Sequence, residues 1–285
     1  MWLKALSILL IALAAGVLAV IYYGGVRWEA RTRDLRARLD AARVPMSPRA
    51  FDYGEVKNLP GPVQRYFRTA IPDGQPIVAA VSMGHIGSFN MSESAEQWKP
   101  FSSTQRVVTR HPGFVWDGRI VILPGVIVRV HDAYVHGDGI MHATLLGLVS
   151  VADLHGTAQM AQGELMRFLA EAAWYPTALL PSQGVRWEAV DDTSAKATVS
   201  DGGTTITLKF IFNEAGLIGS VRADARGRAV SGAIVPTPWE GRWWDYELRD
   251  GMLIPTAGEV AWLLPDGPKP YWRGKLTTLT YEFTR

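Results

Sequence analysis

The chain of 285 residues contains no cysteine. That absence excludes disulfides, thiolate nucleophiles, cysteine-ligated metals and an anchor built on a lipid-modified N-terminal cysteine. Gly-x-Ser-x-Gly is also missing, and Asp201-Gly202-Gly203 reads as a turn between strands rather than a phosphate loop opening a helix. The six histidines, His85, His111, His131, His136, His142 and His155, show no His-Glu-x-x-His spacing. His131 and His136 lie an odd number of residues apart and so face opposite sides of a regular strand. A tight turn at Asp138-Gly139 would set His136 opposite Met141 rather than His142. Neither a metal site nor a cofactor is therefore expected. No low-complexity run, internal linker or basic, aromatic-interleaved nucleic-acid surface is present.

One long apolar run is present, over residues 5–23. At about 1.5 Å per helical residue it spans roughly the 30 Å core of a bilayer. Tyr22, Tyr23 and Trp28 follow at its far end, where interfacial aromatic residues are expected. A cleaved signal peptide is the rival, with small residues at Val17-Leu18-Ala19, but the run exceeds the usual apolar length of such peptides. The sequence thus predicts a single-pass protein of the cell membrane. Residues 1–50 carry a net charge of +5 and the remainder −3, so the basic stretch is suited to anionic headgroups. Arg27, Arg31, Arg33, Arg36, Arg38 and Arg43 behind the span favour a cytoplasmic domain by the positive-inside rule.

Three segments are expected: an anchor over residues 1–26, an amphipathic juxtamembrane helix and linker over 27–49, and one β-rich domain over 50–285. Trp28, Leu35, Leu39 and Ala42 make the stripe of the second segment, a helix lying on headgroups or on the domain, with Pro45 and Pro48 ending it. Pro62 opens a short helix whose apolar face is Val63, Tyr66, Phe67 and Ala70, stopped by Pro72-Asp73-Gly74. Asp117-Gly118, Asp138-Gly139, Asp201-Gly202, Asp250-Gly251 and Asp266-Gly267 read as hairpin turns, because Asp-Gly supplies positive φ angles. Strands are expected over 126–135, 186–190, 195–199, 204–212, 217–225, 239–248, 258–264 and 275–283, an antiparallel meander. Residues 163–175 keep helical spacing, and a helix so apolar needs a concave sheet or second layer to cover it. The fold class is mainly β (α+β).

Nine of eleven tryptophans lie beyond residue 90. The densest group is 238–246, followed by Trp262. If Asp250-Gly251 is a two-residue turn without a bulge, Trp239 stands opposite Trp262 and Arg242 opposite Glu259. Pro255 could introduce a bulge that breaks this register. Trp239, Glu240, Arg242, Trp244, Glu259 and Trp262 are the candidate ligand-binding residues, either as a cross-strand salt bridge under tryptophan cover or as a polar anchor in a cleft. Glu164, Arg167 and Glu171 share one helix face, where intrahelical salt bridges are expected. No catalytic residue is assigned.

The segments 59–66, 112–117, 236–241 and 258–262, with Leu59-Pro60-Gly61-Pro62, Pro112-Gly113-Phe114-Val115-Trp116-Asp117, Pro238-Trp239-Glu240-Gly241 and Gly258-Glu259-Val260-Ala261-Trp262, resemble an uncharacterised family of bacterial membrane-anchored proteins carrying a domain of unknown function. The resemblance covers about residues 55–283 and brings no functional residues. In architecture the chain also resembles the half-barrels of periplasmic lipoprotein carriers. That likeness implies a curved sheet with an apolar cavity, and a periplasmic domain, against the arginine count. The expected function is a membrane-anchored, non-enzymatic module for a lipid-like or amphiphilic ligand, with no nucleic-acid partner. A hydrolase using Glu240 or Glu259, or an assembly factor for other membrane proteins, are the alternatives.

Overall fold

The computed structural model describes residues 2–44, 49–92, 95–230 and 233–284. The apolar run and the amphipathic stretch form one unbroken helix, α1 (Trp2–Ala41), about 60 Å long at the usual rise. Pro45 and Pro48 lie outside the described residues. Up to Tyr23 the helix is exposed except for a half-buried Ile21, and its first half is long and apolar enough to cross a membrane. From Gly24 onward one stripe, Gly24, Trp28, Thr32, Leu35 and Leu39, is buried against the domain. A Cβ on Gly24 would collide with the Leu146 carbonyl and one on Gly147 with the Gly24 carbonyl, so backbone meets backbone there. Trp28 is not an interfacial aromatic but 2% exposed, because its ring stacks on His131 at 3.8 Å.

Two short helices follow, α2 (Tyr53–Val56) and α3 (Gly61–Ala70), the latter with Pro62 in its first turn and Val63, Tyr66, Phe67 and Ala70 buried. Thirteen strands then form one antiparallel sheet. Six precede the central helix: β1 (Val78–Asn90), β2 (Trp98–Val108), β3 (Gly113–Leu123), β4 (Val126–Val135), β5 (Asp138–Leu145) and β6 (Val149–His155). After α4 (Ala158–Glu171) come β7 (Arg186–Asp191), β8 (Ser194–Asp201), β9 (Thr204–Phe212), β10 (Ile218–Val230), β11 (Ala233–Arg249), β12 (Met252–Leu264) and β13 (Gly267–Phe283). Each half is a meander, and the two halves join where β1 pairs with β13.

Asp250-Gly251 is a two-residue turn with both φ angles positive, at 45° and 86°. Arg249 pairs with Met252, Trp239 with Trp262 and Arg242 with Glu259, and Pro255 causes no register shift. Other Asp-Gly pairs differ from expectation. Asp117-Gly118 lies inside β3, where the glycine makes room for the Trp116 ring rather than for a turn. His136 and Gly137 form the β4–β5 turn, with φ of 54° and 79°, while Gly139 is needed in β5 because the backbone of Met160 and Ala161 presses on it. That register sets His131 directly opposite His142 and leaves His136 in the turn. The remaining two turns sit one residue away, at Gly202-Gly203 and Pro265-Asp266.

Curvature follows from what the helix must touch. Thr157 caps α4 by accepting from the Met160 N–H, and Leu165, Phe168 and Leu169 are buried. The helix contacts β3, β4 and β5 on one arm and β9 and β10 on the other, so the sheet wraps it as a half-barrel. At one rim the arms meet, Gly137 against Gly202, with the Tyr134 hydroxyl donating to Asp201 at 3.0 Å. The expected helix over 163–175 leaves α geometry at Glu171 and continues as 3-10 turns through Gln183. The Tyr281 hydroxyl donates to the buried Trp174 carbonyl at 2.6 Å, and Thr177 Oγ1 in turn accepts from the Val78 N–H of β1 at 3.0 Å.

Candidate functional site

Strand alternation sends Trp116 and its cross-strand neighbour Asp132 to the concave side. Arg167 of α4 reaches them, with Nη1 2.9 Å from Asp132 Oδ2 and Nε 2.7 Å from Glu171 Oε1. Its guanidinium lies 4.9 Å from the Phe114 ring centre and 5.2 Å from that of Trp116. Gln105 donates to the other Glu171 oxygen at 2.6 Å. From the opposite arm Arg226 lies 5.1 Å from the Trp239 ring, donates to Tyr271 Oη at 3.2 Å and to the Gly163 carbonyl at 3.3 Å, and pairs with Glu164 at 3.8 Å. Trp239 also donates to Tyr271 Oη, at 2.9 Å.

Between these groups lies a cavity of about 70 Å³, walled by Trp116, Trp174, Trp239, Trp243, Tyr271 and Trp272 and floored by Asp132, Arg167, Glu171 and Arg226. Phe89 and Tyr271 also border a surface groove of about 390 Å³ that runs over Trp262 and residues 268–270. Ile122, Val128, Val130 and Leu145 are half-buried on the same concave side, beside the cavity wall.

Burial sets the titration of the acids. It pushes Glu164 up to about 8, with the Asp132 charge adding to the rise and Arg226 opposing it. Asp132 is likewise raised by burial against the pull of Arg167 and Arg226. Burial works against the Arg167 cation, but Glu171 and Asp132 outweigh it and hold the charge. In the unfolded chain Glu164 titrates near 4.5, so between that pH and 8 the folded state keeps a proton the unfolded state has lost. Stability therefore falls as pH rises through this window, by at most roughly 1.4 kcal/mol per pH unit. Glu164→Gln is expected to flatten that decline, leaving the variant more stable than the parent at pH 8.5 and similar at pH 5. Urea unfolding at the two pH values checks this; an unchanged slope would contradict it.

The six residues expected to bind ligand lie on two faces. Trp239 walls the cavity, and Trp262 borders the groove, stacked on Tyr271 with ring centres 5.7 Å apart. Glu240, Arg242, Trp244 and Glu259 point to the outer face, because neighbours along a strand alternate sides. There Glu240 accepts from both Arg222 and Arg242 at 2.7 Å. Burial alone would raise its pKa, but these two arginines bring it below the ordinary carboxylate range. Arg242 thus stands opposite Glu259 but bonds Glu240, while Glu259 takes Arg273 at 2.5 Å. The carboxylates of the hydrolase alternative, Glu240 and Glu259, are therefore on the far side of the sheet from the cavity. Asp132 and Arg226 were not singled out by the sequence reading: each shares its strand with other charged residues, Arg129 in β4 and Arg222, Asp224 and Arg228 in β10, so nothing local sets it apart. Arg167–Glu171 is the expected intrahelical pair, whereas Glu164 pairs across to Arg226.

A thirteen-stranded half-barrel closed on one apolar helix, with a ring-walled cavity and an apolar helix docked outside, defines an α+β class of curved-sheet proteins. The chain belongs to the family of unknown function DUF6920, whose model matches residues 57–281. No curated protein matches it. Among solved structures it is similar to a LolA superfamily protein from Nitrosomonas europaea, at 12% identity and a TM-score of 0.33, covering 78% of this chain and 92% of that one. A DUF1329 family protein from Desulfovibrio piger gives 13% identity and a TM-score of 0.37, over 72% and 86%. A β-barrel-like DUF1849 protein from Brucella abortus gives 12% and 0.20, over 73% and 99%.

Proposed function

We propose that the protein is a membrane-tethered binding module that holds an amphiphilic or lipid-like molecule on the concave side of its half-barrel. The observation that carries this reading is the ring-walled cavity with a charged floor, next to a larger groove with which it shares Phe89 and Tyr271 as walls. Volume decides how such a ligand lies. By the same measure one water needs about 10–15 Å³, so about 70 Å³ has room for a small head group, and the rest of the molecule lies along the groove. Aromatic walls supply apolar area with polar edges, the surface that suits an amphiphile. Exposed apolar residues of α1, held to the domain at Gly24, suit the core of a bilayer and support the tether.

Two measurements test the proposal. The full chain is expected to stay with carbonate-washed membranes, while a chain starting at Gly24 is released; equal behaviour of the two would remove the tether. Titration with a bromine-labelled fatty acid is expected to quench tryptophan fluorescence saturably. Val260 lines the cavity, and Val260→Phe is expected to weaken that binding at least tenfold by filling it. Unsaturable quenching, or the same affinity in both proteins, would overturn the binding reading.

A further inference from the structure

Hairpin turns at a protein surface are ordinarily built from polar residues, and two in this chain are not. Residues 120–128, which run from the end of β3 through the Pro124-Gly125 turn into β4, contain no polar side chain. Packing does not account for this: none of residues 121–128 is fully buried, and Leu123 is 59% exposed. The β5–β6 turn is Leu146-Gly147-Leu148, followed by the exposed Val149 and Val151. At the opposite end of the same strands the turns hold Arg110, His111 and His136.

The docking of α1 fixes where the apolar end lies. Leu39 lies over Gly113 at the start of β3, and Trp28 donates to Asp117 four residues along that strand. Travelling along α1 toward its N-terminus is thus travelling along β3 toward the hairpin tip. Gly24, one helical turn before Trp28, meets Leu146 and Gly147. Leu146 N–H donates in turn to the Ile127 carbonyl at 2.8 Å, so Ile127 of β4 stands beside the point where α1 leaves the domain. Gly125 lies two residues beyond Ile127, about 7 Å at the usual strand rise, on the side of the exposed apolar run.

Charge marks a boundary at the same place. Arg119 and Arg129 bracket the apolar stretch and stand directly opposite one another, on the face that carries α1. Like charges so placed repel, and among the described residues neither has an ion-pair partner. A lipid phosphate supplies the missing anion, and an arginine at headgroup depth keeps its cation solvated while its stem lies against apolar surface.

Resting on the membrane tether of the reading above, we infer that the β3–β4 hairpin, with the β5–β6 turn beside it, dips into the bilayer that α1 crosses. Leu123, Pro124 and Gly125 lie at the edge of the acyl region, and Arg119 and Arg129 meet the lipid phosphates. The domain is then held at two points, the span and the hairpin, and keeps one orientation on the membrane.

The absence of cysteine allows a single one to be labelled without background. Leu10→Cys in the span, Leu123→Cys at the tip and Glu214→Cys on the exposed β9–β10 turn each carry an environment-sensitive fluorophore in the full chain, reconstituted in vesicles of phosphatidylcholine and phosphatidylglycerol. Lipids with nitroxide-labelled acyl chains are expected to quench the labels at Leu10 and Leu123 about twofold or more and to leave the label at Glu214 bright. Quenching at Leu10 without quenching at Leu123 would overturn the insertion and leave the tether; quenching at neither would overturn the tether as well. A label at Leu123 shielded from aqueous iodide yet untouched by the nitroxide would mean that protein, such as a second copy of this chain, covers the tip, and would also overturn the proposal. Quenching at Leu123 is expected to weaken when phosphatidylglycerol is left out, and Arg119→Gln with Arg129→Gln to remove that difference. A parent chain indifferent to the anionic lipid would overturn the part given to the arginines.

Discussion

Arg167→Met is expected to destabilise the domain by roughly 3–5 kcal/mol, the cost of removing one partner from a buried ion cluster. Methionine fills similar space between Phe114 and Trp116, so the loss is electrostatic rather than a cavity. Asp132 would keep no cation within bonding distance, and Glu171 would retain only the Gln105 amide. Both carboxyls would then prefer their protons in the folded state, while the unfolded chain releases them near pH 4. The deficit should accordingly grow as pH rises from 5 to 8 and shrink on acidification. Urea unfolding of Arg167→Met across that range reads the effect. Adding Asp132→Asn and Glu171→Gln to the variant should restore much of the stability at pH 8. A loss independent of pH, unrelieved by the amides, would mean that Arg167 acts through packing alone.

Trp28→Ala is expected to release the docked half of α1. The ring is stacked on His131, meets His142 edge-on at 5.8 Å and donates to Asp117 at 2.8 Å, so its removal costs about 3–5 kcal/mol at that interface. Hydrogen exchange of residues 27–41 should rise steeply while the sheet keeps its protection; unchanged protection of the helix would contradict the prediction. Acid should act at the same place. Burial first, then the Arg31 charge, lower His131 to about 3, so it is neutral in the folded state and accepts or donates one bond with Thr32 at 2.7 Å. The unfolded chain takes up a proton near pH 6.5, so stability present above that pH is lost as pH falls toward 3. His131→Phe keeps the stack and is expected to make α1 protection less sensitive to pH between 6.5 and 5.

Local signals carried much of the fold. The register of β11 on β12 follows from one two-residue turn, and the ends of β4 and β9 coincide with the runs read from alternation. The buried face of α3 is the one its spacing marks. Asp-Gly pairs misled at Asp117-Gly118 and Asp138-Gly139 because those glycines answer to close packing by Trp116 and α4, a tertiary demand that no local pattern encodes. Trp28 misled for a related reason: next to a membrane span an aromatic suits the interface, but here His131 lies beneath it. Proximity in sequence grouped Trp239 with Glu240 and Arg242, and strand alternation then divides them between two faces. The cavity floor was least legible, since Asp132, Arg167 and Arg226 come from three elements that meet only when the sheet closes round α4.

Native mass spectrometry of the full chain, extracted gently from the membranes in which it was made, tests the central claim most directly. The account predicts a bound species of a few hundred daltons that organic extraction recovers as an amphiphile, and that is lost from Val260→Phe. A single mass equal to the bare chain in repeated preparations, identical for the parent and the variant, would contradict it.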